Sequence, residues 1–153
     1  MLRVTKLADY GIVIMTFFAA HNVSDSCAAR DVAGAVKLPL PVVSKVLKML
    51  AREGLLISLR GAKGGYGLAR NPREISVAAI IHALEGPIAI TECNDRVHGG
   101  CGLESGCSVR ANWNLINRAI HSALEKITLA EMTHPLHQPL VNLNPTGWRF
   151  PVS

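Results

Sequence analysis

Aromatic residues and long apolar runs are both scarce in this sequence of 153 residues. Phe, Trp and Tyr make up only 5% of it, which argues against a large pocket for an aromatic ligand. No run of about 18 consecutive apolar residues occurs, so no membrane span is predicted. The apolar residues 11–20 lack a clear signal-peptide cleavage site and continue a helical pattern, so a cytoplasmic location is expected.

The residue sets of common enzyme active sites are also missing. The glycine-rich residues 60–65 do not match the G-x-x-x-x-G-K-[ST] pattern of phosphate-binding loops, and they lie between two predicted strands. His98 is isolated in a loop, without the acid–histidine pair that would activate a cysteine nucleophile. His82 and His121 fall within helical patterns. The sequence therefore does not predict an enzyme.

Negative charge is scarce in the N-terminal half. Residues 1–73 contain 11 Lys and Arg against 4 Asp and Glu, whereas residues 74–153 contain 5 against 7. A basic half suits a polyanion such as DNA, because neutralised phosphates release their counterions. Charge alone does not separate a DNA-binding protein from a merely basic one, so the interpretation depends on the motifs.

Three helices are predicted in the basic half, joined by short turns. The first spans about 6–20, with Thr5 as its N-cap. A short second helix is capped by Ser26. The third has Pro41 in its first turn, where the missing N–H needs no partner, and it ends before Gly54.

The third helix has two distinct faces. Its apolar residues recur at i, i+3, i+4 and i+7, and polar or basic residues occupy the other side. Two short helices, a tight turn and a basic amphipathic helix are typical of a helix-turn-helix, although one charged helix face alone is usually just solvated. The apolar residues are Val43, Val46, Leu47 and Leu50, and the polar ones are Ser44, Lys45, Lys48 and Arg52.

Two short strands follow, at about 55–59 and 66–69, and the glycine-rich turn between them carries Arg60 and Lys63. A hairpin with positive charge at its tip is typical of the wing in a winged helix. Its cations would reach phosphates or the minor groove, where glycine permits a close approach. A fourth helix, capped by Ser76 and ended by Gly86, completes a predicted DNA-binding domain at 1–86.

Residues 87–107 form a predicted loop that carries Cys93, Cys101 and Cys107. Thiolates are soft donors that suit zinc or an iron–sulfur cluster. The Cys-x-x-Cys spacing of structural zinc is absent, and the intervening glycines let the backbone surround a bulky centre. A cluster, [2Fe-2S] or [4Fe-4S], is therefore favoured over zinc or redox-active thiols. Cys27 stands apart, as a small core residue within the predicted second helix.

The longest predicted helix begins at Ser108, and its apolar residues form a narrow seam. The seam packs either within the chain or against a second copy. A dimer is favoured because winged helices that read DNA usually act as two-fold pairs. A capping box at Thr128 and Glu131 starts a short last helix within 108–133, and 134–153 form an irregular tail. The seam comprises Val109, Trp113, Ile116, Ile120, Leu124 and Ile127, of which Trp113, Ile116, Ile120 and Leu124 are assigned to the dimer contact.

These predictions describe a mainly α fold with a small β-hairpin, in which a winged helix-turn-helix domain precedes a long C-terminal dimerisation helix. Roughly residues 1–133 resemble the iron–sulfur-cluster-sensing winged-helix regulators of bacteria, the family that contains IscR and NsrR. The residues ITEC at 90–93 and VRANW at 109–113 look most like the branch that regulates the SUF cluster-assembly genes. The matching segments are LRVTKLADY at 2–10, LPVVSKVLKMLAREG at 40–54, LRGAKGGYGL at 59–68, ISVAAIIHALEG at 75–86 and the three-cysteine loop.

The resemblance implies a cytoplasmic homodimer that binds double-stranded DNA and represses iron–sulfur assembly genes, sensing cluster status through a bound cluster, most simply [2Fe-2S]. The alternatives are a thiol-redox, zinc-stabilised or nitric-oxide-responsive regulator. IscR has larger polar side chains at the positions of Val42 and Ser44, so this chain is expected to read a different DNA sequence, with Val42 packing on a thymine methyl group. The implied base contacts are Pro41, Val42, Ser44 and Lys45 in the major groove and Arg60 and Gly61 in the minor groove, to which charge adds Lys48 and Lys63.

The resemblance also implies a fourth ligand beside the three cysteines. Arg110 stands where IscR has a histidine, and a guanidinium cation does not ligate a metal. Asp9 matches the N-terminal aspartate that the partner subunit supplies in NsrR, and it is the favoured fourth ligand. His98 is a local competitor, and water, a thiol or another group is a further alternative. Asp9 also has a second interpretation as an acid in the first turn of a helix.

Overall fold

The computed structural model describes residues 4–21, 26–94, 101–102 and 106–134. These residues form a mainly helical fold with one two-stranded antiparallel sheet, as expected. None of the described helices combines the length and apolarity needed to cross a membrane. In chain order the elements are α1 (Lys6–Ala20), α2 (Ala29–Val36), α3 (Leu40–Arg52), β1 (Leu56–Leu59), β2 (Gly65–Leu68), α4 (Val77–Glu85), α5 (Arg110–Lys126) and α6 (Leu129–Met132).

Three predicted N-caps are confirmed. The Thr5 side chain accepts a hydrogen bond from the backbone N–H of Ala8 at 3.2 Å, and Ser76 accepts one from Ala79 at 3.1 Å. At α6, Thr128 and Glu131 form the predicted capping box. The backbone N–H and the hydroxyl group of Thr128 both donate to the Glu131 carboxylate, which lowers the pKa of that group.

Two predicted helix starts are wrong. Helix α2 begins at Ala29, after Ala28, without a side-chain cap, because the Ser26 hydroxyl donates to the distant backbone carbonyl of Lys63 instead. Helix α5 begins at Arg110, with Val109 and not Ser108 at its N-cap position. The helices themselves are where the apolar periodicity places them, so only their first turns differ.

The core is formed where α1, α3 and α4 pack together beneath the sheet. The predicted apolar face of α3 is fully buried. On α1, Val13 is 39% exposed and lies outside the core. Gly11 faces α4 so closely that an added Cβ atom would lie 2.1 Å from Leu84 Cδ1, so the two helices pack closely at this point.

The C-terminal end of the described chain is fastened to the start of α4. The backbone N–H of Val77 donates to the carbonyl of Ile127 at 2.9 Å, and the N–H of Leu129 donates to Ile75 at 2.7 Å. The Leu129 side chain is fully buried in the core. The end of α5 is thus held against the start of α4 and the core.

Candidate nucleic-acid interface and cysteine loop

Helix α3 presents the predicted recognition face at the surface. Pro41, Lys45 and Lys48 are exposed, whereas Val42 and Ser44 are half-buried. Val42 and Ser44 are less exposed because they lie beside the apolar face of α3, which is buried in the core. The exposed positions place two ammonium groups on the outer side of the helix.

A tight turn sets the angle between α2 and α3. Lys37 takes the left-handed backbone conformation, with φ of 55°, and its N–H donates to the carbonyl of Ala33. The carbonyl of Pro39 then accepts from the backbone N–H groups of Val42 and Val43, which starts α3. The predicted helix-turn-helix layout is therefore present, with Pro41 in the first turn of α3.

Strands β1 and β2 form the predicted wing, with each strand within one residue of its expected bounds. Their register pairs Leu59 with Gly65, so the tip lies at 60–64. Arg60, Gly61 and Lys63 are exposed there. Gly61 has φ of 112°, a conformation that favours glycine, and its carbonyl accepts from the N–H of Gly64 at 2.9 Å.

A third segment, residues 26–28, closes on the wing. Cys27 and Tyr66 exchange two backbone hydrogen bonds, both of 2.9 Å. The approach is so close that a Cβ atom on Gly65 would lie 2.5 Å from the Cys27 carbonyl oxygen. Cys27 thus lies in an isolated β-bridge and is half-buried. It precedes α2, so the prediction that placed it within the second helix is wrong. Burial, with a smaller contribution from the Asp31 carboxylate, raises the pKa of its thiol.

The role of residues 26–28 was missed in the sequence, because the contact joins positions nearly 40 residues apart and no local pattern marks it. The two glycines at 64–65 are the one sequence feature that is consistent with such a contact, because they leave room for a neighbouring backbone. An added Cβ on Gly64 would lie 2.6 Å from the Leu59 carbonyl oxygen. Gly64, like Gly65, therefore lies where another backbone segment comes too close for a side chain. Together these contacts hold the tip of the wing, with Arg60 and Lys63, against the segment 26–28. Strand β1 of the wing also contacts α3.

The three loop cysteines are all half-buried free thiols. Cys93 lies in a short 3₁₀ turn, Glu92–Asn94, that contacts α5. The Thr91 hydroxyl oxygen lies 3.1 Å from the Cys93 sulfur, and the Asn94 side-chain amide donates to Thr91 at 2.8 Å. Cys107 precedes α5, and its carbonyl accepts from the Arg110 N–H at 3.4 Å.

Soft thiol donors on one loop fit iron or zinc in their chemistry. Their arrangement is open: in the part of the chain that the structure describes, no three Cys, His, Asp or Glu side chains gather into a metal-binding group. Cys93, Cys101, Cys107 and Asp9 are all among the described residues.

Of the two candidates for a fourth ligand, only Asp9 is among the described residues. Asp9 lies exposed in the first turn of α1, free to face a neighbouring molecule. His98 lies outside the described residues. The tail beyond Pro135, predicted to be irregular, also lies outside them.

The predicted seam on α5 divides into two parts. Trp113 and Ile116 are 37% and 42% exposed, whereas Ile120 and Leu124 are half-buried. No residue of α5 is fully buried in the single chain. The N-terminal half of α5 thus leaves apolar side chains exposed in the single chain.

Comparison with known proteins places these features in context. A family model named Rrf2 and described as an iron-dependent transcriptional regulator matches residues 4–135. The HTH-type transcriptional regulator IscR of Serratia proteamaculans is 28% identical over 133 residues, which cover 87% of this chain and 80% of that protein.

Solved structures show the same fold. IscR of T. potens superposes with a TM-score of 0.66 at 30% identity, covering 86% of this chain and 85% of that one. CymR, described as the global cysteine regulator of B. subtilis, superposes with a TM-score of 0.67 at 27% identity, covering 87% and 97%. The winged-helix fold and the resemblance to the family that contains IscR are both confirmed.

Proposed function

This chain belongs to the Rrf2 family of transcriptional regulators, and from that premise we propose that it is a repressor whose affinity for DNA depends on an iron–sulfur cluster held by Cys93, Cys101 and Cys107. The observation that carries the proposal is the position of the three thiols, on one loop between the winged-helix domain and α5. The family description, an iron-dependent regulator, agrees with it. The family consists of regulators and not enzymes, so no catalytic step is involved.

The proposed DNA contacts lie on α3 and the wing. Lys45 and Lys48, exposed on α3, suit the major groove and its flanking phosphates, and Arg60 and Lys63 suit the minor groove. Pro41, Val42, Ser44 and Gly61 complete the surface near the bases. Two such units would read a two-fold symmetric site as a homodimer in the cytoplasm, with the exposed apolar half of α5 as the contact between copies.

Linkage explains how the loop would control DNA binding. Binding of a shared centre would gather the three thiols and so move the loop, whose turn at Cys93 contacts α5. If that movement also repositions the two recognition helices, DNA affinity and cluster binding must change each other by the same factor. Asp9 of α1 is the proposed fourth ligand, reaching the centre in the second copy. The genes proposed to be controlled are those for iron–sulfur assembly.

Replacing Lys45 and Lys48 separately tests the DNA-binding face. Lys45→Ala is expected to weaken specific binding by about 1–3 kcal/mol, because a base contact is lost. Lys48→Ala is expected to reduce the slope of log K against log salt by about 0.9, because one phosphate contact is lost. Fluorescence anisotropy over a salt series measures both, with the exposed α5 residue replaced in Lys126→Ala as control. Unchanged affinity and slope in both variants would show that α3 faces away from DNA.

A regulator without a cluster is the second candidate, favoured by the likeness to a protein described as a global cysteine regulator. In that case the thiols bind zinc or react with oxidants directly. Iron, zinc and acid-labile sulfide analysis of anaerobically purified protein separates the candidates. We expect iron with sulfide, and zinc without sulfide would support the alternative.

A further inference from the structure

The side chain of Asn117 joins the cysteine loop to α5. Its amide oxygen accepts a hydrogen bond from the backbone N–H of Ile90 at 3.0 Å, and its amide nitrogen donates to the carbonyl of Ile88 at 3.0 Å. Both bonds are partly buried. One amide therefore satisfies two backbone groups of the loop, much as a neighbouring strand would.

This anchor lies close to the first cysteine and to the apolar seam. Only two residues separate Ile90 from Cys93, whose 3₁₀ turn also contacts α5. On α5, Asn117 follows Trp113 by four residues and precedes Ile120 by three, so the three residues share one side of the helix. Nothing else in the sequence pattern of α5 marks position 117, since a polar residue on a helix surface is ordinary.

We infer that Asn117 is a positioning residue that fixes the segment from Ile88 to Cys93 on α5 and so couples the cysteine loop to the surface where two copies meet. The inference rests on the proposed function for what the loop binds. With both hydrogen bonds in place, a displacement of Cys93 is transmitted to α5 through Asn117. Without them, the loop can rearrange while α5 stays where it is.

The anchoring is tested first in metal-free, reduced full-length protein, by amide hydrogen exchange resolved at single residues. Asn117→Ala is expected to speed exchange at Ile90 roughly fivefold or more, as the loss of one hydrogen bond predicts. Asn117→Asp keeps the acceptor for the Ile90 N–H but loses the donor to Ile88, so Ile90 is expected to stay protected. Asn112→Ala, an exposed asparagine on the same helix, is the matched control and is expected to leave exchange unchanged. Equal exchange in Asn117→Ala and wild type would overturn the anchor.

The coupling is tested by the ratio of DNA affinities with and without anaerobic reconstitution by iron and sulfide. The probe is a duplex selected from a random pool by the wild-type protein. Asn117→Ala is expected to keep the metal-free affinity and to lower the ratio from about fivefold or more to below about twofold. A merely structural defect would instead lower affinity in both forms. A wild-type ratio that persists in Asn117→Ala overturns this inference alone, whereas a wild-type ratio of one overturns the proposed function with it.

Discussion

A chain carrying Cys93→Ala, Cys101→Ala and Cys107→Ala is expected to hold no iron and no acid-labile sulfide, and to bind DNA equally well before and after anaerobic treatment with both. The wild type is expected to change its DNA affinity by about fivefold or more on the same treatment. The reason is that thiolates hold such clusters, and these are the thiols of the loop that joins the winged-helix domain to α5. Elemental analysis and anisotropy titrations measure the two effects.

Cys27→Ala is the matched control for this triple variant. Cys27 is also a half-buried free thiol, but it lies at the edge of the wing and its pKa is raised by burial and by Asp31. The control is expected to retain iron, sulfide and the DNA response. Full iron and sulfide content in the triple variant would place the centre elsewhere in the chain.

Gly65→Ala is expected to destabilise the protein by about 2–4 kcal/mol and to weaken DNA binding. The new Cβ atom would lie 2.5 Å from the Cys27 carbonyl oxygen and 2.9 Å from the Ala28 nitrogen, both of which are backbone atoms. Relief of this overlap requires the segment 26–28 to separate from β2, with loss of the two hydrogen bonds between Cys27 and Tyr66. The wing tip would then lose its connection to Ser26. Urea unfolding and DNA titration measure the two effects.

The neighbouring glycine of the same strand supplies the comparison. A Cβ atom on Gly67 would lie 3.8 Å from Ile57 Cγ1, an ordinary van der Waals distance, and neither glycine has a positive φ. Gly67→Ala is therefore expected to change stability by less than about 1 kcal/mol. Equal stability of the two variants would mean that the contact between Cys27 and the wing contributes nothing to the fold.

Local signals in the sequence predicted most of the fold. Helix α1 begins and ends where Thr5 and the apolar periodicity indicate, and the buried residues of α3 are the four expected ones. The capping box at Thr128 was readable because both partners lie within one helical turn. Each of these features depends on residues close together in the chain.

Contacts between distant residues could not be predicted in the same way. Serine is a common N-cap residue, yet the Ser26 hydroxyl donates to the carbonyl of a residue 37 positions away. Asn117 bonds to backbone groups 27 and 29 residues before it. Nearly every residue offers a backbone donor and acceptor. The sequence therefore does not indicate which backbone group a polar side chain will bond to. The DNA contacts, the cluster ligands and the homodimer stay predictions.

The central claim is that the occupancy of the cysteine loop sets the affinity for DNA. The most direct test titrates one selected duplex with wild-type protein under strictly anaerobic conditions, before and after reconstitution with iron and sulfide, at a single fixed salt concentration. The account predicts dissociation constants that differ by about fivefold or more between the two forms. Equal dissociation constants, with iron and sulfide present in the reconstituted protein, would contradict it.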